Sequence, residues 1–235
     1  MRTSRLGLAA FNLASALAVA GLVALGIWQV ERRAWKLDLI ARVEARIGAA
    51  PVPAPGPAAW PSVTEAADAY RHVRVAGRFR HESTTLVQAV TVLGGGFWVL
   101  TPLVADGFTV LVNRGFVPSD RRDPAGWRRP EGEVDFTGLL RLTEPGGAFL
   151  RSNATAEDRW YSRDVAAIAS ARGLSGIAPY FIDADASADD RLPVGGLTVV
   201  AFHNNHLVYA LTWFTLAAMT LGAAIYVNVE RRREG

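Results

Sequence analysis

A histidine followed at helical spacing by two aromatic residues, His206, Tyr209 and Trp213, is the arrangement in this 235-residue chain best suited to holding a metal-bearing group. At 100° per residue the three fall on one side of a helix, continued by Ala217, Thr220 and Ala224. The positive end of a helix favours the neutral imidazole that ligates a metal. The small side chains beyond it would admit either a second helix or a flat macrocycle. Histidine and aromatic rings also gather as anchors where a membrane meets water. Residue types and spacing leave both readings open.

Other chemistries find little support. There is no cysteine, and Met1 and Met219 are the only methionines, which removes thiolate zinc sites, redox dithiols and thioether copper ligands. No nucleophile elbow, phosphate-binding loop, His-Glu-x-x-His or paired-glycine fingerprint occurs, so an enzyme is not expected. Gly94, Gly95 and Gly96 read as a turn rather than a phosphate cradle, because no helix pattern follows them. The formal net charge of +3 is weak, and the arginines are scattered, which argues against nucleic acid. His72 and His81 lie on or near strands and read as rim residues. Asn153-Ala154-Thr155 matches a glycosylation sequon, a pattern too short to carry weight.

What must position His206 is a membrane helix. Residues 207–229 carry no charge, long enough at about 1.5 Å per residue to cross a hydrocarbon core of roughly 30 Å. Residues 6–30 form a second uncharged run, too long for a signal-peptide core and with no cleavage pattern after it. The boundaries expected are a stub at 1–5, a span at 6–30, a domain at 31–205, a span at 206–229 and a tail at 230–235. Arg231, Arg232 and Arg233 directly after the second span indicate a cytoplasmic tail, so two spans put both termini in the cytoplasm and the domain in the periplasm of a bacterial inner membrane.

Within the domain, residues 31–48 extend the first helix, with Ile40, Val43 and Ile47 at helical period. Trp28 and Trp35 share a face there, and Arg32 lies one turn from Trp28, within reach of a cation–π contact or of lipid headgroups. The prolines of 51–57 rule out helix there and predict an extended, semi-rigid spacer within a linker over 51–61, and the β-rich part is expected over 68–205. Strands are expected near 70–79, 84–92, 97–104, 109–117, 134–142, 178–182 and 197–202, with a hairpin turning at Asp106-Gly107. Residues 121–132 read as a loop rich in Arg and Pro. Asp164 as N-cap and Gly173 as stop predict one short helix. The fold class is therefore two transmembrane helices flanking an α+β domain built on a mostly antiparallel sheet or partly closed barrel.

From end to end the chain resembles the Surfeit locus protein 1 family of haem-copper oxidase assembly factors. The resemblance rests on Leu25-Gly26-Ile27-Trp28-Gln29 with Arg32 and Trp35-Lys36, on Val73-Arg74-Val75-x-Gly77-x-Phe79, on Trp98-Val99-Leu100-Thr101-Pro102-Leu103 and on Val112-Asn113-Arg114-Gly115. It continues in Asn153, Trp160, Asp164 and Tyr180-Phe181-Ile182-Asp183, and ends in Asn205-His206-Leu207-x-Tyr209-Ala210-x-Thr212-Trp213-Phe214. Phe116 departs from it, standing where tryptophan is common, and so does the flexible glycine run at 94–96. The resemblance implies an assembly factor for cytochrome c oxidase that binds or hands over haem a, with His206 and Trp213 as haem contacts and His206 on the iron. Tyr209, Trp28 and Arg32 would complete the pocket, Arg32 or Lys36 meeting the propionates. The oxidase catalytic subunit, the haem a synthesis machinery and the lipid bilayer are the partners implied. Two alternatives stand beside it: a scaffold that carries no cofactor, and a periplasmic sensor, which the short cytoplasmic ends disfavour.

Overall fold

The computed structural model describes residues 5–147, 151–186, 191–198 and 204–233. Among the described residues are four α-helices, α1 (Arg5–Ile47), α2 (Glu65–Asp68), α3 (Val165–Arg172) and α4 (His206–Arg233), and seven strands. These are β1 (Val52–Pro53), β2 (His72–Phe79), β3 (Thr85–Thr91), β4 (Gly94–Ala105), β5 (Phe108–Pro118), β6 (Glu133–Leu142) and β7 (Ile177–Ala184). The chain divides into two compact units, one formed by Met1–Arg42 with Ala201–Gly235, the other by Val43–Val200.

The second unit is a closed five-stranded barrel. Its ring runs β2, β6, β7, β5, β4 and returns to β2 through the pairs Gly77↔Ala105, Arg78↔Val104 and Phe79↔Leu103. All pairings in the ring are antiparallel except β5 with β7. Strand periodicity explains what fills it: Val73, Leu103, Val110, Val112, Leu140, Tyr180 and Ile182, drawn from all five strands, make one buried cluster. Leu111 and Phe181 alternate with these and face the other way, onto Trp160 and the α3 residues Val165 and Ile168. β5 is thus covered on both faces, which is why its Val110-Leu111-Val112 run is apolar without alternation.

Turn chemistry behaves as expected at two places. Gly107 holds φ +79 in the two-residue connection between Ala105 and Phe108, a conformation that side chains with a Cβ disfavour. Asp164 accepts the amide of Ala167 at 3.1 Å, and Gly173 closes α3 in the left-handed region. Asn153 accepts the amides of Tyr161 at 2.8 Å and Ser162 at 3.1 Å, tying down the segment that carries buried Trp160.

Two expectations need correction, and a third falls largely outside the described residues. The linker over 51–61 is no loose spacer: 51–56 is extended as expected, but β1 pairs in parallel with β2, and Pro57–Ser62 forms a 3-10 helix whose Trp60 packs on the barrel core. Proline suits the first turn of such a helix, where its missing N–H is not needed. Gly94, Gly95 and Gly96 do not break the chain but continue β4, since a Cβ on Gly96 would lie 2.2 Å from the Val117 carbonyl oxygen. The strand expected at 197–202 is not formed at 197–198, and the rest of it lies outside the described residues.

His72, at the start of β2, bonds the Ala49 carbonyl through Nδ1 and Asp185 through Nε2, both at 2.9 Å. Burial alone would lower its pKa, but Asp185 and the Ala49 carbonyl outweigh it and raise the pKa above the ordinary 6.5. A raised folded pKa lends stability that is full below pH 6.5 and fades as pH climbs through the folded value. Urea midpoints taken between pH 6 and pH 8 are therefore expected to fall in wild type and to flatten in Asp185→Asn. Equal slopes in the two would refute the assignment.

Candidate functional site

Both terminal helices are long and apolar enough to cross a membrane, α4 over His206–Arg233 and α1 from Leu6 to Ile47. They face each other through contacts that run in opposite order along the two chains, so the pair is antiparallel. Gln29 meets His206, Gly26 meets Phe214, and Asn12 exchanges side-chain hydrogen bonds with Asn228 at 2.8 and 3.1 Å. Polar side chains within apolar helices are costly unless they find one another, and the two asparagines do so.

The seam between the helices follows spacings of three and four. Between 206 and 224 the less exposed positions of α4 are His206, Ala210, Trp213, Ala217, Thr220 and Ala224. On α1 the matching line passes through Val19, Leu22, Gly26, Gln29 and Arg33. This is the alternation of helices packed at a shallow crossing angle. Gly26 sits where a Cβ would come within 2.5 Å of the Phe214 ring, so glycine is what allows the approach. Tyr209 does not join the seam: it is 54% exposed, and Ala210, 2% exposed, takes the inward position instead.

At the head of the seam the Nδ1 of His206 lies 2.7 Å from Oε1 of Gln29. With the oxygen of Gln29 facing it, Nδ1 would be the ring nitrogen that donates, the tautomer that leaves the lone pair of Nε2 to a metal. Metal-ligating histidines are oriented and made more basic by such a partner on the opposite ring nitrogen. Two residues upstream, the Oδ1 of Asn204 is buried with no hydrogen-bond partner among the described residues. It is an acceptor that lacks a donor. His206 is the side chain here that could hold a macrocycle iron, which needs one imidazole. Among the described residues no three His, Asp or Glu side chains group to hold a bare ion.

The remaining expected site residues spread out. Trp213 is half-buried two turns into α4, and Trp28 is 50% exposed on α1. Arg32 is exposed, and its guanidinium lies over Trp35, 4.5 Å from the ring centroid, rather than over Trp28. Gln29 is the residue that reading for chemistry missed. A signal existed, since it is a buried polar residue in an otherwise apolar run, but its value depends on a partner 177 positions away.

Similar proteins agree with the motifs. A family model described as "SURF1 family" matches residues 16–218. Surfeit locus protein 1 of Mus musculus is 38% identical over 216 residues, covering 83% of this chain and 68% of its own. The Homo sapiens protein of that name is 39% identical over 217 residues, covering 83% and 70%. A SURF1-like protein of Drosophila melanogaster is 32% identical over 222 residues, covering 83% and 70%.

Proposed function

Because the chain belongs to the SURF1 family, we propose that it acts in the assembly of cytochrome c oxidase, holding haem a at the His206 end of its helix pair and passing it to the catalytic subunit without turnover chemistry of its own. The observation that supports this most is the His206–Gln29 pair, which fixes the imidazole and leaves Nε2 for iron. Bound there, haem a would contribute its iron as the acceptor of that lone pair. Trp213 would pack on the macrocycle, Tyr209 and Trp28 would border it, and Arg32 or Lys36 would meet its carboxylates. The catalytic subunit and the haem a synthesis machinery are the partners of this reading, with the bilayer around α1 and α4. Its orientation is that of a bacterial inner-membrane protein, the barrel periplasmic and both termini cytoplasmic, from the three arginines that follow the second span. Reporter fusions at the C-terminus and within 51–57 are then expected in opposite compartments.

A cofactor-free scaffold is the second reading, favoured by the use of Gly26, Ala210 and Ala217 in the seam itself. One spectrum separates the two. The full chain purified from cells making haem a is expected to carry a Soret band, and a colourless protein from the same membranes would leave the scaffold.

A further inference from the structure

The barrel unit has a second feature that the helix pair does not account for. A cavity of ≈ 580 Å³ opens where the loop of residues 127–130 meets the ends of β2, β6 and β7. Arg114 and Arg129 line it together with two aspartates and with Arg128 and Arg191, which have partners of their own. Both aspartates are already engaged: Asp135 pairs with Arg74, and Asp185 holds His72 and, at 2.6 Å, the hydroxyl of Thr137. Phe79, Phe136 and Trp127 supply apolar wall beside the charges.

Arg114 is the unusual member. It is 8% exposed, donates to the backbone carbonyl of Arg128 and lies over the Phe79 ring at 5.3 Å, with no carboxylate partner among the described residues. Comparably buried Arg141 and Arg163 each hold carboxylates, so the barrel does supply counter-charges where a guanidinium is only structural. A guanidinium has five N–H donors and a charge, and one carbonyl and one ring satisfy little of either. Burial, with Arg128 and Arg129 beside it, lowers its pKa to about 10, so it keeps its charge at neutral pH. A buried charge with no carboxylate partner among the described residues, opening onto a cavity with exposed Arg129 at its rim, calls for an anion.

We propose that this cavity is an oxyanion-binding site, in which Arg114 at the wall and Arg129 at the rim receive a phosphate or carboxylate group. The anion comes either free or as the head of an amphiphile whose apolar body lies along Phe79, Phe136 and Trp127. The site lies in the barrel unit and asks nothing of His206, so it stands or falls apart from haem binding. The test is calorimetric titration of the full chain in neutral-detergent micelles with inorganic phosphate and, separately, with hexyl phosphate. Saturable binding at one site is expected, weakened at least about tenfold in Arg114→Gln and in Arg129→Gln, as for loss of a charge-assisted bond. Arg159→Gln, in an exposed pair with Glu157, should bind as wild type. Tighter binding of hexyl phosphate identifies an amphiphile's head as the source, and equal binding identifies the free ion. Arg114→Gln sits in a buried position, so if it fails to fold the exposed Arg129→Gln decides. No saturable binding of either probe, or binding that survives Arg129→Gln in folded protein, overturns the proposal.

Discussion

Asp183→Ala is expected to cost the barrel about 3–5 kcal/mol, the usual loss when one partner of a buried ion pair is removed. Asp183 is 2% exposed on β7 and is bonded from four sides. Asn113 Nδ2 donates to Oδ1 at 2.8 Å, Arg163 Nη1 to Oδ1 at 3.1 Å, Arg141 Nη1 to Oδ2 at 3.0 Å, and the Thr198 hydroxyl to Oδ2 at 3.0 Å. Burial would lower the pKa of Arg163, but the charges of Asp183 and Glu144 overcome it and raise the value. Truncation at 183 leaves two guanidiniums sharing Glu144 and strands the amide of Asn113. Asp183→Asn keeps the shape and one acceptor, so a smaller loss is expected. Urea unfolding followed by tryptophan emission measures both, and a loss below about 1 kcal/mol for Asp183→Ala would show that the network is not buried as described.

Removing either member of the Gln29–His206 pair is expected to affect haem in graded fashion, on the proposed reading of that site. His206→Ala takes away the iron ligand, and the Soret band should be lost. Gln29→Leu leaves the ligand but frees its Nδ1 to rotate, and the affinity should fall by about 10- to 100-fold, as for other partners of ligating histidines. Gln29→Glu restores an acceptor with a charge and should recover binding, a rescue that mere packing would not give. Titration of purified variants with haem, read at the Soret maximum, distinguishes these outcomes. Wild-type haem content in His206→Ala would return that histidine to the role of an interfacial anchor.

Legibility in the sequence follows the range of the interaction. The Asp106-Gly107 hairpin and the helix capped by Asp164 and Gly173 depend on residues within a few positions of one another, so their types declare them. The two helices long and apolar enough to cross a membrane are equally plain, because a bilayer's thickness sets the length of apolar run to look for. The proline-rich stretch misleads, because Trp60 finds the barrel core only through a fold not yet known, and a tertiary contact then orders what local chemistry would leave extended. Gly96 misleads in the same way, its lack of a side chain serving Phe116 and Val117 across the sheet. At the site, His206 announces itself by type, whereas the pairing of Gln29 with it exists only as a relation between distant segments.

Closure of the ring also governs how another chain can take hold of the barrel. A sheet closed on itself has no free hydrogen-bonding border, so a visiting strand can attach only to the extra strands at its flanks. β1 is two residues long and contains Pro53, which has no amide to donate. β3 is longer, but the Gln88 amide is already given to the Trp160 carbonyl at 2.8 Å, and Val87 is bridged to the same residue. Sheet extension is therefore a poor route to this surface, and an incoming subunit must grip side chains, loops or the helices. A ring without borders is thereby kept from templating the growth of further strands.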